Sequence, residues 1–147
     1  MSAAINFFTP DQKKQIEKAV FQAENRTSGE IRVHIEQNCK EDVLDHAAYI
    51  FKMLEMHKTK LRNGILFYLS IDDHKFAILG DAGINEKVPE NFWDQIKNHM
   101  LNKFKEGKFT EGLCEGVIMA GEELKKDFPV IDTTDNELSN EMSFGKK

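Results

Sequence analysis

Five consecutive apolar residues, Ile65-Leu66-Phe67-Tyr68-Leu69, restrict the folds open to this chain more than any other stretch. A strand that is apolar at every position needs cover on both faces, which places it inside a sheet between two layers. Polar turns flank it, Arg62-Asn63-Gly64 before and Asp72-Asp73-His74 after. A second strand-like run, Phe76 to Leu79, follows and stops at Gly80-Asp81-Ala82-Gly83. Two β-rich runs joined by about three polar residues read as a hairpin. Gly80 and Gly83 permit a sharp turn and a close approach beside the Asp81 carboxylate.

The rest of the chain supplies the layers. Thr9-Pro10-Asp11-Gln12 has the marks of a helix start: a capping threonine, proline at the first helical position and glutamine placed for a capping box. Ile16, Ala19, Val20 and Ala23 then recur at helical spacing. Residues 30–36 alternate, with Ile31, Val33 and Ile35 on one face and Arg32, His34 and Glu36 on the other. This predicts a strand near the sheet edge, with His34 an ordinary surface histidine. Residues 41–57 predict a helix with an apolar stripe of Val43, Leu44, Ala47, Ile50, Phe51 and Leu54. His46 and His57 lie too far apart along it to share a metal.

Strand, helix, strand makes a right-handed crossover, so 30–37 and 64–71 are expected parallel, with 75–80 added antiparallel. A helix from Glu90 to about Glu106 carries a buried Trp93. A last helix is capped by Thr110 and buries Leu113, Val117, Ala120 and Leu124. Gly112, Gly116 and Gly121 within it predict close packing against the sheet or another helix, with a hinge as the functional alternative. The expected fold is α/β: an α/β/α sandwich whose small mixed sheet is flanked by about four helices. The domain spans 8–129, and 130–147 reads as a flexible polar tail, lacking periodicity.

Composition narrows the function classes. A net charge of −5, with no Lys/Arg run longer than two, argues against nucleic acid as a partner. Cys39 and Cys114 form no metal-binding pattern and read as reduced thiols. No stretch approaches the ~20 apolar residues of a membrane span. The N-terminal MSAAINFFTP lacks a basic region and a long apolar core, so it does not read as a secretory signal. The expected location is cytoplasmic.

Strand direction locates a candidate site. Two parallel strands begin at one edge of the sheet, and the antiparallel third strand ends there. Glu30, Asn63 and Asp81 therefore converge on one rim, flanked by loops 27–29 and 80–83, with Asp72 and Asp73 on the opposite rim. Two carboxylates, an amide oxygen and loop carbonyls suit a hard cation such as calcium or magnesium. The same residue types also serve as plain turn and strand-opening chemistry.

Four segments in order resemble the TPM domain family: residues 27–33 (TSGEIRV), 62–66 (RNGIL), 80–84 (GDAGI) and 109–113 (FTEGL). The resemblance covers about residues 8–129. The family takes its name from a thylakoid acid phosphatase, a photosystem II repair protein and a modulator of an acetylcholine receptor. It implies an α/β/α sandwich, a divalent-metal site in the sheet-edge loops and, for some members, acid phosphatase activity. This chain departs from the better-known pattern. Gly80-Asp81-Ala82-Gly83 stands where a glycine–aromatic–glycine is common, Asn85 stands near a position that is often acidic, and no signal peptide or membrane anchor is evident. Two functions follow as expectations. One is a divalent-cation-binding interaction module, with Glu30, Asn63 and Asp81 as ligands and another protein as a further partner. The alternative is a metal-dependent acid phosphatase acting on phosphate monoesters, with Asp81 as catalytic carboxylate and Arg62 or Arg26 facing the phosphate.

Overall fold

The computed structural model describes residues 6–130 and 142–145. Its elements run α1 (Pro10–Glu24), β1 (Glu30–Glu36), α2 (Val43–Met53), β2 (Gly64–Ser70), β3 (Lys75–Gly80), α3 (Ala82–Asn85), α4 (Asp94–Lys105), α5 (Phe109–Leu124) and β4 (Ser143–Phe144). The sheet order is β3-β2-β1-β4. β1 and β2 are parallel, with Glu30 opposite Gly64, and β3 returns antiparallel, with Gly80 opposite Ile65. This is the expected mixed sheet.

The continuous apolar run of β2 explains the two layers. Ile65, Phe67 and Leu69 join Ile31, Val33 and Ile35 in the larger core, beneath α1, α4 and α5. Leu66 and Tyr68 face the other way, under Ala47, Ile50 and Phe51 of α2. The start of α1 follows from its sequence: the Gln12 amide donates to Thr9 Oγ1 at 3.1 Å, and the Thr9 amide donates to Gln12 Oε1 at 2.9 Å. The glycines of α5 mark close contacts. A Cβ at Gly116 would lie 2.5 Å from Met100 Sδ, and one at Gly121 would lie 2.8 Å from the Ala23 carbonyl. Helix α5 is therefore seated against both α4 and α1.

Several elements differ from the sequence reading. Five α-helices flank the sheet among the described residues, because a single turn, α3, follows Asp81. A helix of four residues with Gly83 inside it is too short to show periodicity. Helix α4 begins at Asp94, since tight bonds from Phe92 to Pro89 and from Asp94 to Asn91 hold the preceding segment as turns. Trp93 is nevertheless buried, at its entrance. Helix α2 stops at Met53, where Glu55 adopts a left-handed φ of 60° and a 3₁₀ turn follows at Met56–Lys58.

The largest difference concerns residues 142–145. Met142 is buried, Ser143 and Phe144 pair parallel with β1, and the Gly145 amide donates to the Ile35 carbonyl at 2.8 Å. These four residues of the expected tail thus belong to the sheet edge; residues 131–141 and 146–147 lie outside the described residues. A two-residue strand is too short to show alternation. The same contact corrects His34. It sits on the predicted face but is buried, with Nδ1 2.8 Å from Ser143 Oγ and Nε2 2.9 Å from Glu36 Oε2. Burial, the largest influence, depresses its pKa below the usual histidine value.

Candidate functional site

The rim where β1 and β2 begin and β3 ends is tied together by its backbone. The Glu30 amide donates to the Asn63 carbonyl at 3.1 Å, the Asp81 amide to the Gly64 carbonyl at 3.0 Å, and the Gly83 amide to the Arg62 carbonyl at 2.8 Å. Glu30, Asn63 and Asp81 are all buried there. Asp72 and Asp73 stand at the far turn of the hairpin, as expected. Asp73 accepts from Ser70 Oγ at 2.9 Å and from the Cys39 amide.

Each rim residue is held by identifiable contacts. Thr27 folds its loop back by accepting from the Gly29 amide at 3.1 Å and donating to the Phe128 carbonyl. Asn63 Nδ2 donates to the Ser28 carbonyl at 3.1 Å, which binds β2 to that loop and leaves Oδ1 as the side chain's acceptor. Asp81 caps α3 by accepting from the Ala82 amide at 2.7 Å. Its carboxylate also receives a two-pronged contact from Arg62, with Nε to Oδ2 at 2.7 Å and Nη2 to Oδ1 at 2.8 Å. Planar guanidinium and carboxylate groups match in this bidentate manner. The hydrogen bond and then the charge of Asp81 raise the already high pKa of Arg62.

Gly83 sets this geometry. A Cβ there would fall 2.1 Å from the Leu61 carbonyl oxygen and 2.6 Å from that of Arg62. Backbone oxygens cannot swing aside as a flexible side chain can. Gly83→Ala should therefore push the 61–62 segment away from α3, at a cost of about 1–3 kcal/mol typical of overpacking. Chemical denaturation of the variant checks this, and an unchanged midpoint would show that the two segments are not in contact.

Two residues complete the rim that the sequence reading did not assign to it. Arg62 appeared there only as a phosphate partner. Extending the β2–β3 register past Gly64 would have set it beside the 81–83 turn. The second is Glu24, at the end of α1, whose Oε2 accepts from the Ile31 amide at 2.8 Å. Its pKa is pushed up to about 8, chiefly by burial; the Ile31 bond opposes the rise and the charge of Glu30 adds to it. Glu24 lies four residues beyond Val20, on the edge of the buried stripe of α1, and that spacing was its only signal. Arg26, the other proposed phosphate partner, instead pairs with Glu122 at 2.7 Å.

The donor set is all oxygen, the type a hard cation accepts. Among the described residues, no three His, Cys, Asp or Glu side chains group as they would around a metal ion. Asp81 is already engaged by Arg62 and the Ala82 amide, so these residues do not form a ready cage for a cation. Among the described residues, no helix is long and apolar enough to cross a membrane.

The combination of sheet, crossover and rim loops defines an α/β domain of a known type. The chain matches the TPM domain model over residues 2–123 and belongs to that family. It is similar to the BA42 protein of the psychrophilic bacterium Bizionia argentinensis, solved by NMR, at 43% identity and a TM-score of 0.91, covering 99% of this chain and 100% of that one. More distant likenesses show the fold alone. One is the N-terminal domain of a P. gingivalis protein, with 18% identity and a TM-score of 0.70, covering 84% of this chain and 80% of that one. Another is the N-terminal domain of cg2496 from Corynebacterium glutamicum, with 10% identity and a TM-score of 0.65, covering 80% and 74%. No curated protein matches the chain at a significant level.

Proposed function

We propose that the chain is a binding module for a divalent cation, calcium or magnesium, taken up at the rim by Glu30, Asn63 and Asp81. The observation that supports this reading is the pair of backbone bonds, Glu30 to Asn63 and Asp81 to Gly64, that sets three residues with oxygen-bearing side chains at one rim of the sheet. The family resemblance of the same loops supports it. The role suited to such a module is a cation-dependent interaction with another protein. Few charged ligands mean modest affinity, on the order of 10⁻⁴–10⁻³ M. Calcium at ten times its Kd would then stabilise the native state by about 1.4 kcal/mol.

Thermal melting in calcium chloride or magnesium chloride, against sodium chloride of equal ionic strength, tests the proposal. The melting temperature should rise in the divalent salts, and Asp81→Asn should abolish most of the rise while keeping the α3 cap. An equal rise in the variant would contradict the assignment.

A metal-dependent phosphatase is the second reading. What favours it is the half-exposed Arg62 guanidinium at the same rim, a cation available to a phosphate oxygen. Turnover of p-nitrophenyl phosphate that requires magnesium and disappears in Asp81→Asn would establish it. No turnover would leave the binding role.

A further inference from the structure

We propose that residues 142–145 form a proton-sensitive strap, held on the edge of β1 by His34 at neutral pH and released in mildly acid solution. Side-chain fits seat these residues in addition to their backbone pairing. Met142 is buried in the larger core, and its amide donates to Glu17 Oε2 of α1 at 3.4 Å. Ser143 Oγ lies against His34 Nδ1. The Lys13 ammonium of α1 stands over the Phe144 ring, 5.1 Å from its centroid. A Cβ on Gly145 would fall 2.5 Å from Glu36 Oε2, an oxygen already held by His34. Glycine is what lets the strand lie this close.

His34 joins the strap to a chain of hydrogen bonds that crosses to α2. Glu36 Oε2 lies 2.9 Å from His34 Nε2, and Glu36 Oε1 lies 3.1 Å from His46 Nε2. His46 Nδ1 in turn meets Glu41 Oε2 at 2.6 Å. An ionised carboxylate only accepts, so both Nε2 atoms carry protons. The neutral His34 ring therefore offers Nδ1 as an acceptor, and the Ser143 hydroxyl donates to it. A further proton has to enter at that atom, on a residue that is 1% exposed and stacked on Tyr68, with centroids 6.0 Å apart. Ser143 can turn its hydroxyl to the Val33 carbonyl, at 3.4 Å, and accept from the charged ring. The hydrogen bond thus survives protonation, and the cost is the burial of charge. Among the described residues, the titratable and charged groups around the ring are Glu36 and Arg32 on β1, Tyr68 on β2 and His46 on α2. Burial is the largest influence and holds the His34 pKa down; Glu36 favours the charged ring, while His46 and Arg32 oppose it. The strap covers Nδ1, so its departure admits water to the atom that takes the proton. The open state therefore binds that proton more readily than the closed one. Closure is fully stable above the ordinary histidine pKa of about 6.5 and weakens as pH falls below it, by up to about ten-fold per unit in the opening constant. A proton on His46 works the other way, since its ring meets a carboxylate at either nitrogen.

Hydrogen exchange of backbone amides in the full chain, with the histidine rings followed by NMR, tests the strap. Between about pH 6.5 and 5.5, after correction for the intrinsic exchange rate, the opening constant of the Gly145 amide should rise several-fold, up to about ten-fold. The amides of 65–69 should open no faster. The rise should follow the titration of the His34 ring and not that of His46. His34→Gln gains no proton in this range and should flatten the profile while its sheet amides stay in place. Ser143→Ala should open the strap more at every pH and keep the slope. An opening constant that stays level in wild type, or that rises equally in His34→Gln, would overturn the proposal, as would a Gly145 amide without protection at about pH 7.5. Where His34→Gln loses its sheet spectrum, the wild-type protein decides: a His34 midpoint that coincides with the loss of Gly145 protection supports the strap, and separate midpoints overturn it.

Discussion

Truncating Phe67 to alanine should lower the stability of this domain by about 3–5 kcal/mol. Phe67 is fully buried at the middle of β2, a strand that pairs on both sides and is buried at every position. Its neighbours in the larger core come from both the sheet and the overlying helices, so the space left by the ring cannot be closed by one side chain moving. Domains of this kind have about 5–15 kcal/mol of total stability, so the loss is a large share of the whole. Urea denaturation measures it directly. A loss under about 1 kcal/mol would mean that β2 is not the central strand, and the rim built on its first residues would lose its support.

The second large effect is a dependence on pH set by Glu24. Its carboxyl has a pKa near 8 in the folded protein, against 4.5 for the ordinary group. Below about pH 4.5 both folded and unfolded chains hold the proton, and the contribution of Glu24 to stability is fully present. Between about 4.5 and 8 the unfolded chain has released its proton and the folded chain retains it. Stability therefore falls with rising pH, by up to roughly 1.4 kcal/mol per unit, and levels off above about 8. Glu24→Gln keeps an acceptor for the Ile31 amide but carries no titratable proton. Urea midpoints at pH 5, 6.5 and 8 should show a steeper decline in wild type than in the variant. Parallel profiles would show that Glu24 titrates normally and that the rim is wetter than its burial indicates.

Most of the framework was legible from local pattern. The unbroken apolar run at 65–69 required two covering layers, and the strand–helix–strand order required a parallel pair. Strand direction alone then brought Glu30, Asn63 and Asp81 to one edge. What escaped was whatever depended on contacts rather than on periodicity. The pairing of Arg62 with Asp81 needs the exact register of a turn as well as a left-handed φ of 53° at Arg62. The buried state of His34 depends on Ser143, 109 residues away, which no window of sequence joins to it. β4 itself is too brief to alternate. Glu24 stands beside the apolar stripe of α1, and periodicity alone does not show that its carboxylate accepts from the Ile31 amide of β1.

The measurement that tests the central claim most directly is a calcium titration followed by backbone amide resonances in wild type and Asp81→Asn. The amides of 27–30, 62–64 and 80–85 should move first and together in the wild type, and most of that response should vanish in the variant while the rest of the spectrum stays in place. Shifts that begin at Asp72-Asp73, or that spread over acidic surface positions and persist in Asp81→Asn, would contradict a cation site at the rim.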